Sequence, residues 1–171
     1  MSYQGTPQDP AQPNPYSRQH PDPYGLPPRA PNPYASWIKR VAAYLIDALI
    51  TTVAYFPAFI GQIVSAAGGS NAVAAVLIVI GVALSVAVFV WNTCLRAGRT
   101  GYSIGKGVLG IKLIGEATGD PIGPWRAFLR YLLHIVDVLP LYLGYLWPLW
   151  DAKRQTFSDK IMHTVVLNQP E

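Results

Sequence analysis

The sequence predicts an all-α membrane protein: two full transmembrane helices, an amphipathic or re-entrant helical segment, and a short hairpin-like pair of strands on the cytoplasmic side. Three observations carry that prediction. Of 171 residues, 51% are apolar and only 13% are charged, where an ordinary soluble domain carries about 25%. From Val41 to Leu95, Asp47 is the one charged side chain in 55 residues. Ten of the sixteen prolines lie in residues 1–36, so everything able to fold follows Ser36. The chain therefore divides into a tail over 1–36, a membrane domain over 37–167 and a C-terminal tail over 168–171.

The N-terminal tail contains three near-repeats, Asn14-Pro15-Tyr16, Asp22-Pro23-Tyr24 and Asn32-Pro33-Tyr34. Proline fixes φ and removes a backbone donor, which excludes regular helix. With few apolar groups to offset its conformational entropy, the segment is expected to be disordered or locally polyproline II. It has no apolar h-region and so is not read as a signal peptide. Spacings such as Pro28 with Pro31 would suit docking on an aromatic groove of a cytoplasmic partner, although any proline-rich tail produces such spacings.

The first span is expected over about 37–64 and the second over about 72–95, each exceeding the ~20 residues that a bilayer requires. Pro57 removes a hydrogen bond to the carbonyl of Val53 and should kink the first. In the second, Gly81 with Ser85 and Ala83 with Ala87 are small residues four apart, a spacing that lets backbones approach closely; the first span of the same chain or a second copy could supply the partner. The uncharged turn Ser65 to Asn71 lies between the spans. Lys39 and Arg40 precede them and Arg96, Arg99, Lys106 and Lys112 follow, which puts both outer flanks, and the chain termini, in the cytoplasm.

Gly101 to Gly110 superficially resembles a phosphate-binding loop, but a P-loop needs four residues between its glycines and Ser or Thr after the lysine. Turn and strand chemistry is expected instead, leading into a strand at Ile111 to Ile114 that pairs with Thr164 to Leu167. Between them lies a third apolar region, about 125–150, broken by Pro140 and Pro148. Arg126, Arg130 and His134 recur every four residues and Asp137 follows three later, forming one polar stripe on an apolar helix. Such a helix lies at the membrane interface or packs its stripe against protein. A single crossing would also put Lys153, Arg154 and Lys160 outside, against the charge rule.

Asp47 poses the chemical problem. It shares a helix face with Arg40 and lies roughly 10 Å deeper. A carboxylate at the bilayer centre costs on the order of 2.5–3.5 kcal/mol on insertion scales, so it must be protonated, paired or hydrated. Arg126 and Arg130 are the available cationic partners; the second span offers only Asn92 and Thr93 near its end.

At this point the chain resembles the RDD family of bacterial membrane proteins, named for one arginine and two aspartates. The resemblance covers about Ser36 to Leu167. Arg40-Val41-Ala42-Ala43-Tyr44-Leu45-Ile46-Asp47 looks like its first motif, Ser103-Ile104-Gly105-Lys106 followed by Leu109-Gly110-Ile111-Lys112-Leu113 its middle, and Lys153 to Lys160 its end. Asp159 is taken as the second aspartate, with Asp137 competing for that place. A proline-rich tail ahead of such a domain is similar to actinobacterial members. The resemblance implies a multi-pass protein of the bacterial cell membrane, with transport of ions or small ligands suggested.

Two function classes follow. In the first, Asp47 is an ion or proton site in a small cation/proton exchanger, with Arg40, Asp159, Asp137, Arg126 and Arg130 as ion-pair candidates. Two spans enclose no pathway, so this reading expects a homo-oligomer in the bilayer. In the second, those residues are structural, and the domain is an anchor or scaffold presenting its tail to a cytoplasmic protein. Enzyme chemistry is not expected: neither HExxH nor GxSxG occurs, and neither His134 nor His163 has a clear nucleophile beside it. No cofactor or metal is expected, since Cys94 is the single cysteine. The net charge of +4 is spread along segments flanking apolar stretches, as juxtamembrane basic residues are, and nucleic acid is not an expected partner.

Overall fold

Serine or threonine stands just ahead of four of the helices among the described residues, and proline or a left-handed residue follows several of them. The computed structural model describes residues 32–169; residues 1–31 of the expected 1–36 tail and the last two positions lie outside the described residues. Helix α1 spans Trp37–Ala54 with Ser36 as its N-cap, the hydroxyl accepting from the Lys39 amide. α2, Phe56–Ala66, follows after Tyr55 alone.

The first predicted span is thus two helices, bent by 50°, rather than one over 37–64. Pro57 stands in the first turn of α2, where its missing N–H costs nothing, and it cannot continue the hydrogen-bond ladder of α1. α3, Asn71–Phe89, continues through a π-helical segment, Val90–Arg96, into α4, Ala97–Thr100. Together they run for 30 residues from Asn71 to Thr100, beyond the expected 72–95, and form the one helix among the described residues long and apolar enough to cross a membrane unbroken. If each bent pair counts as one span, there are up to three.

Where turn and strand chemistry was expected after Gly101, a short helix α5 forms over Ile104–Val108, capped by Ser103. Ser at an N-cap satisfies an otherwise orphaned amide, and here it accepts from the Lys106 N–H. Strands β1, Ile111–Gly115, and β2, Thr164–Asn168, pair antiparallel with Leu113 opposite Val166. This is a long-range pair and not a hairpin.

The sheet also takes in residues that flank the apolar helices in sequence. Ala35 donates its N–H to the Val166 carbonyl and Asn168 donates to that of Pro33, both at 2.8 Å, so the third Asn-Pro-Tyr repeat lies along the edge of β2. Asn168, placed by the sequence in the C-terminal tail, is the last residue of that strand. Ala35, Ala43, Ile111, Leu113, Ile122, Ala127 and Val166 form the buried core.

Between the strands, α6 covers Pro124–Val138 and α7 covers Leu143–Leu146, followed by a single 3-10 turn at Trp147–Leu149. They meet at 106°, with Pro140 and the positive-φ residues Leu141 and Tyr142 at the corner. Trp125 and Ile135 of α6 and Leu139 and Leu141 at the corner stay exposed. α8, Phe157–Met162, leads into β2.

Candidate functional site

The polar residues of α1 serve two separate networks. Asp47 accepts three hydrogen bonds: from Asn92 Nδ2 at 2.7 Å, from Ser103 Oγ at 2.6 Å and from the Gly105 amide at 2.8 Å. Asn92 in turn accepts from the Ile104 amide at 2.8 Å. The aspartate therefore secures the first turn of α5, where unpaired amides and the positive end of the helix favour a carboxylate.

Two backbone features make this possible. The π-helical segment holds Asn92 1% exposed within the fold, and such irregular turns recur at functional positions. α5 also approaches α1 so closely that a Cβ on Gly105 would fall 2.0 Å from the Ala43 carbonyl oxygen. Only glycine fits there.

The expected cationic partners of Asp47 are elsewhere, because α5 occupies its carboxylate. Arg130 reaches Asp159 instead, Nη2 and Nε lying 2.7 and 2.8 Å from Oδ1. Arg126 donates to the Met162 carbonyl at 2.8 Å. Arg40 places Nη1 2.6 Å from Asp159 Oδ2. Asp159 is thus clamped between guanidiniums from α1 and α6, and Thr164 Oγ1 donates to it at 3.0 Å. It is 0% exposed and also closes a capping box with Thr156 at the start of α8. Burial pushes its carboxyl up, but the two arginines outweigh that and hold it well below the usual carboxylate range.

Asp137 lies in a different place. Its Oδ1 accepts from the amides of Phe157 and Ser158 at 2.8 and 3.2 Å, so it caps the start of α8 and takes no part in the arginine pair. Oδ2 lies 2.7 Å from His134 Nδ1, which is also 2.9 Å from Ser158 Oγ. A serine, a histidine and an aspartate meet here, yet both contacts use the same ring nitrogen. A catalytic triad holds its aspartate on one nitrogen and its serine on the other. The polar stripe of α6 is therefore a packing face for α8.

Lys106 touches the first network. Its Nζ lies 3.4 Å from the Ser103 Oγ that donates to Asp47. Burial pushes the Lys106 amine down to about 8, with Arg130 and Arg40 acting the same way and Asp47 and Asp159 opposing. Two further nitrogens of Arg40, Nε and Nη2, are buried without a partner among the described residues.

Sequence reasoning paired Arg40 with no anion, named Asn92 with Thr93 only as what the second span offers Asp47, and missed Ser103 and Gly105 as its ligands. A polar residue in an apolar span, and serine directly ahead of a potential helix start, were the available signals. Thr156 three residues before Asp159 is the pattern of a capping box with Asp in place of Glu.

Strongly apolar helices are thus joined at one end through Arg40 and two hydrogen-bonded aspartates, Asp47 and Asp159. The chain belongs to the RDD family, whose profile matches residues 34–163. It is 38% identical over 154 residues to the proline-rich antigen of Mycobacterium leprae, covering 78% of this chain and 61% of that one. It is 52% identical over 79 residues to the proline-rich antigen homolog of Mycobacterium tuberculosis, covering 46% of this chain and 33% of that one. The chain thus matches about three-fifths and one-third of those relatives' lengths. No solved structure matches it.

Proposed function

We propose that this protein is a multi-pass subunit of a bacterial cell-membrane transporter, acting by exchange of small cations for protons and without enzymatic chemistry. The observation that carries the reading is a connected polar path: Asn92, Asp47, Ser103 and Lys106 run from within the apolar helices to the charged end of the bundle. Ionisable groups within apolar spans mark ion and proton pathways. Two or three spans enclose no channel, so the reading calls for an assembly of copies, with both termini in the cytoplasm.

The test is reconstitution in proteoliposomes containing a pH dye, with addition of sodium, potassium or lithium. A cation-dependent pH change that disappears in folded Asp47→Asn supports exchange. No flux from folded wild-type protein rejects these couplings. Topology is checked with single cysteines at Ser70, Lys112 and Lys160 in a Cys94→Ser background: an impermeant thiol reagent on intact cells labels only the first.

A second reading is favoured by the saturation of both carboxylates with donors, which suits a structural role: a membrane anchor that presents its proline-rich segment to a cytoplasmic partner. Under it, deletion of residues 1–31 abolishes the cellular phenotype while Asp47→Asn, if folded, leaves it intact. Exchange predicts the reverse.

A further inference from the structure

The edge of β2 already holds a short peptide, and the sequence carries two further copies of that peptide. Pro31-Asn32-Pro33-Tyr34-Ala35 recurs as Pro21-Asp22-Pro23-Tyr24-Gly25 and as Pro13-Asn14-Pro15-Tyr16-Ser17; the two earlier repeats lie outside the described residues. Segment 32–35 runs antiparallel to β2 with Tyr34 opposite Leu167. The Ala35 amide donates to the Val166 carbonyl and the Asn168 amide to that of Pro33. Pro33 has no N–H of its own and ends the ladder there. Arg154 Nη1 donates to the Tyr34 carbonyl at 3.0 Å, and Asn168 Nδ2 donates to the same oxygen at 3.2 Å. Asn32 Oδ1 accepts from the Tyr34 amide at 2.9 Å, the turn that asparagine and aspartate side chains both make. Ala35 is 0% exposed and belongs to the core with Ile111, Leu113 and Val166.

The edge therefore reads two carbonyls, one amide, an Asx turn and a side chain small enough for a closed slot. Both earlier repeats carry all of these, and the tyrosine as well. Gly25 asks nothing of the slot, whereas Ser17 would bring a hydroxyl into it, at the cost of a buried polar group. We infer that the β2 edge, with Arg154 and Asn168, is a binding site for extended Asx-Pro-Tyr-small peptides, and that its exchangeable ligand is Pro21–Gly25 of a second copy of this chain. Main-chain bonds to a sheet edge supply affinity in such sites, and slots for particular side chains supply selectivity. An incoming repeat replaces the bonds of segment 32–35 one for one. What the resident alone possesses is its direct link through Ser36 to α1. Copies held side by side present each other's repeats at an effective concentration on the order of mM, which sets exchange against that link. The inference takes from the exchanger reading only the assembly of copies and nothing of transport.

Disulfide trapping between two full-length proteins tests it, each in a Cys94→Ser background and the two carrying tags of different size. One bears Tyr24→Cys and the other Leu167→Cys, so a mixed disulfide joins two copies by construction. Tyr34 and Leu167 are directly opposite without exchanging hydrogen bonds, the pairing in which side chains stand closest, and an incoming Tyr24 takes the place of Tyr34. After co-reconstitution and mild oxidation, the mixed dimer is expected severalfold above that from a Gln19→Cys control. Ala35→Pro in the Leu167→Cys copy removes the resident's amide bond to Val166 and should raise the yield further. Arg154→Met in that copy should lower it. A synthetic peptide spanning residues 20–26 should compete the mixed dimer away from otherwise unaltered copies, and a scrambled peptide should not. A yield equal to the Gln19→Cys control overturns the proposal, as does one indifferent to both Ala35→Pro and the competing peptide. Absent cation flux with the mixed dimer present defeats the exchanger reading and leaves the peptide site standing.

Discussion

The α2–α3 hairpin and the charged end of the bundle hold helices together by opposite means. Between α2 and α3, among the described residues, no side-chain hydrogen bond is made; contact depends on small residues. A Cβ on Gly81 would lie 2.2 Å from the Ala58 nitrogen, and one on Gly61 would lie 2.7 Å from the Ala74 carbonyl oxygen. At the other end, Asp47, Asp137 and Asp159 each bind the start of a short helix, and Asp159 adds two arginines. Lipid tails are as apolar as leucine, so helices in a bilayer gain little from apolar attraction and rely on close backbone approach. Directed charges add what small residues lack: they select which helix start sits where.

The largest break in that comparison comes from Asp159. Asp159→Ala leaves two arginines without their anion and should cost about 3–5 kcal/mol, measured by thermal unfolding in detergent. Adding Arg40→Met and Arg130→Met should recover most of the loss. A single-mutant cost below about 1 kcal/mol would show that the clamp is no stronger than a surface pair.

Acid should reach the same group more gently. The folded Asp159 carboxyl lies below its unfolded value, so its contribution is fully present above about pH 4 and fades as pH falls through the folded value. Unfolding scans from pH 6 downward should show wild type losing more stability than Asp159→Asn, and parallel curves would argue against the pair.

Crowding the helices comes next. Gly81→Val should cost about 1–3 kcal/mol by overpacking α2 against α3. Gly105→Ala carries a comparable steric cost against α1 and also disturbs the amide bond to Asp47. If exchange is the activity, Gly105→Ala reduces flux more than Gly81→Val at equal stability; equal losses would separate α5 from the transport step. The smallest effect is expected from Thr156→Ala, which removes one cap at about 1 kcal/mol, read from the same unfolding scans.

Much of the fold is legible in the residues. The apolar run with Asp47 inside it, the turn at Gly68 and Gly69, the polar stripe of α6 and the two short strands all follow from periodicity and composition, which are local properties. The partners of Asp47 were not legible. Arg130 is the obvious cation by charge, and only the close approach of α5 over Gly105 gives the carboxylate to an amide, a serine and an asparagine. The bend at Tyr55 was foreshadowed by Pro57, but its 50° was not, since neighbouring helices set how far a broken ladder opens.

The sequence by itself determined that strongly apolar helices would form, where proline would interrupt them, and that an arginine and two aspartates would need burial partners. Tertiary structure alone decided that Arg40 and Arg130 converge on Asp159, that Asp47 serves α5, and that residues 32–35 join the sheet edge. The reason is physical: helix formation depends on neighbours within one or two turns, whereas an ion pair between residues 119 positions apart, as Arg40 and Asp159 are, exists only after the helices between them have packed.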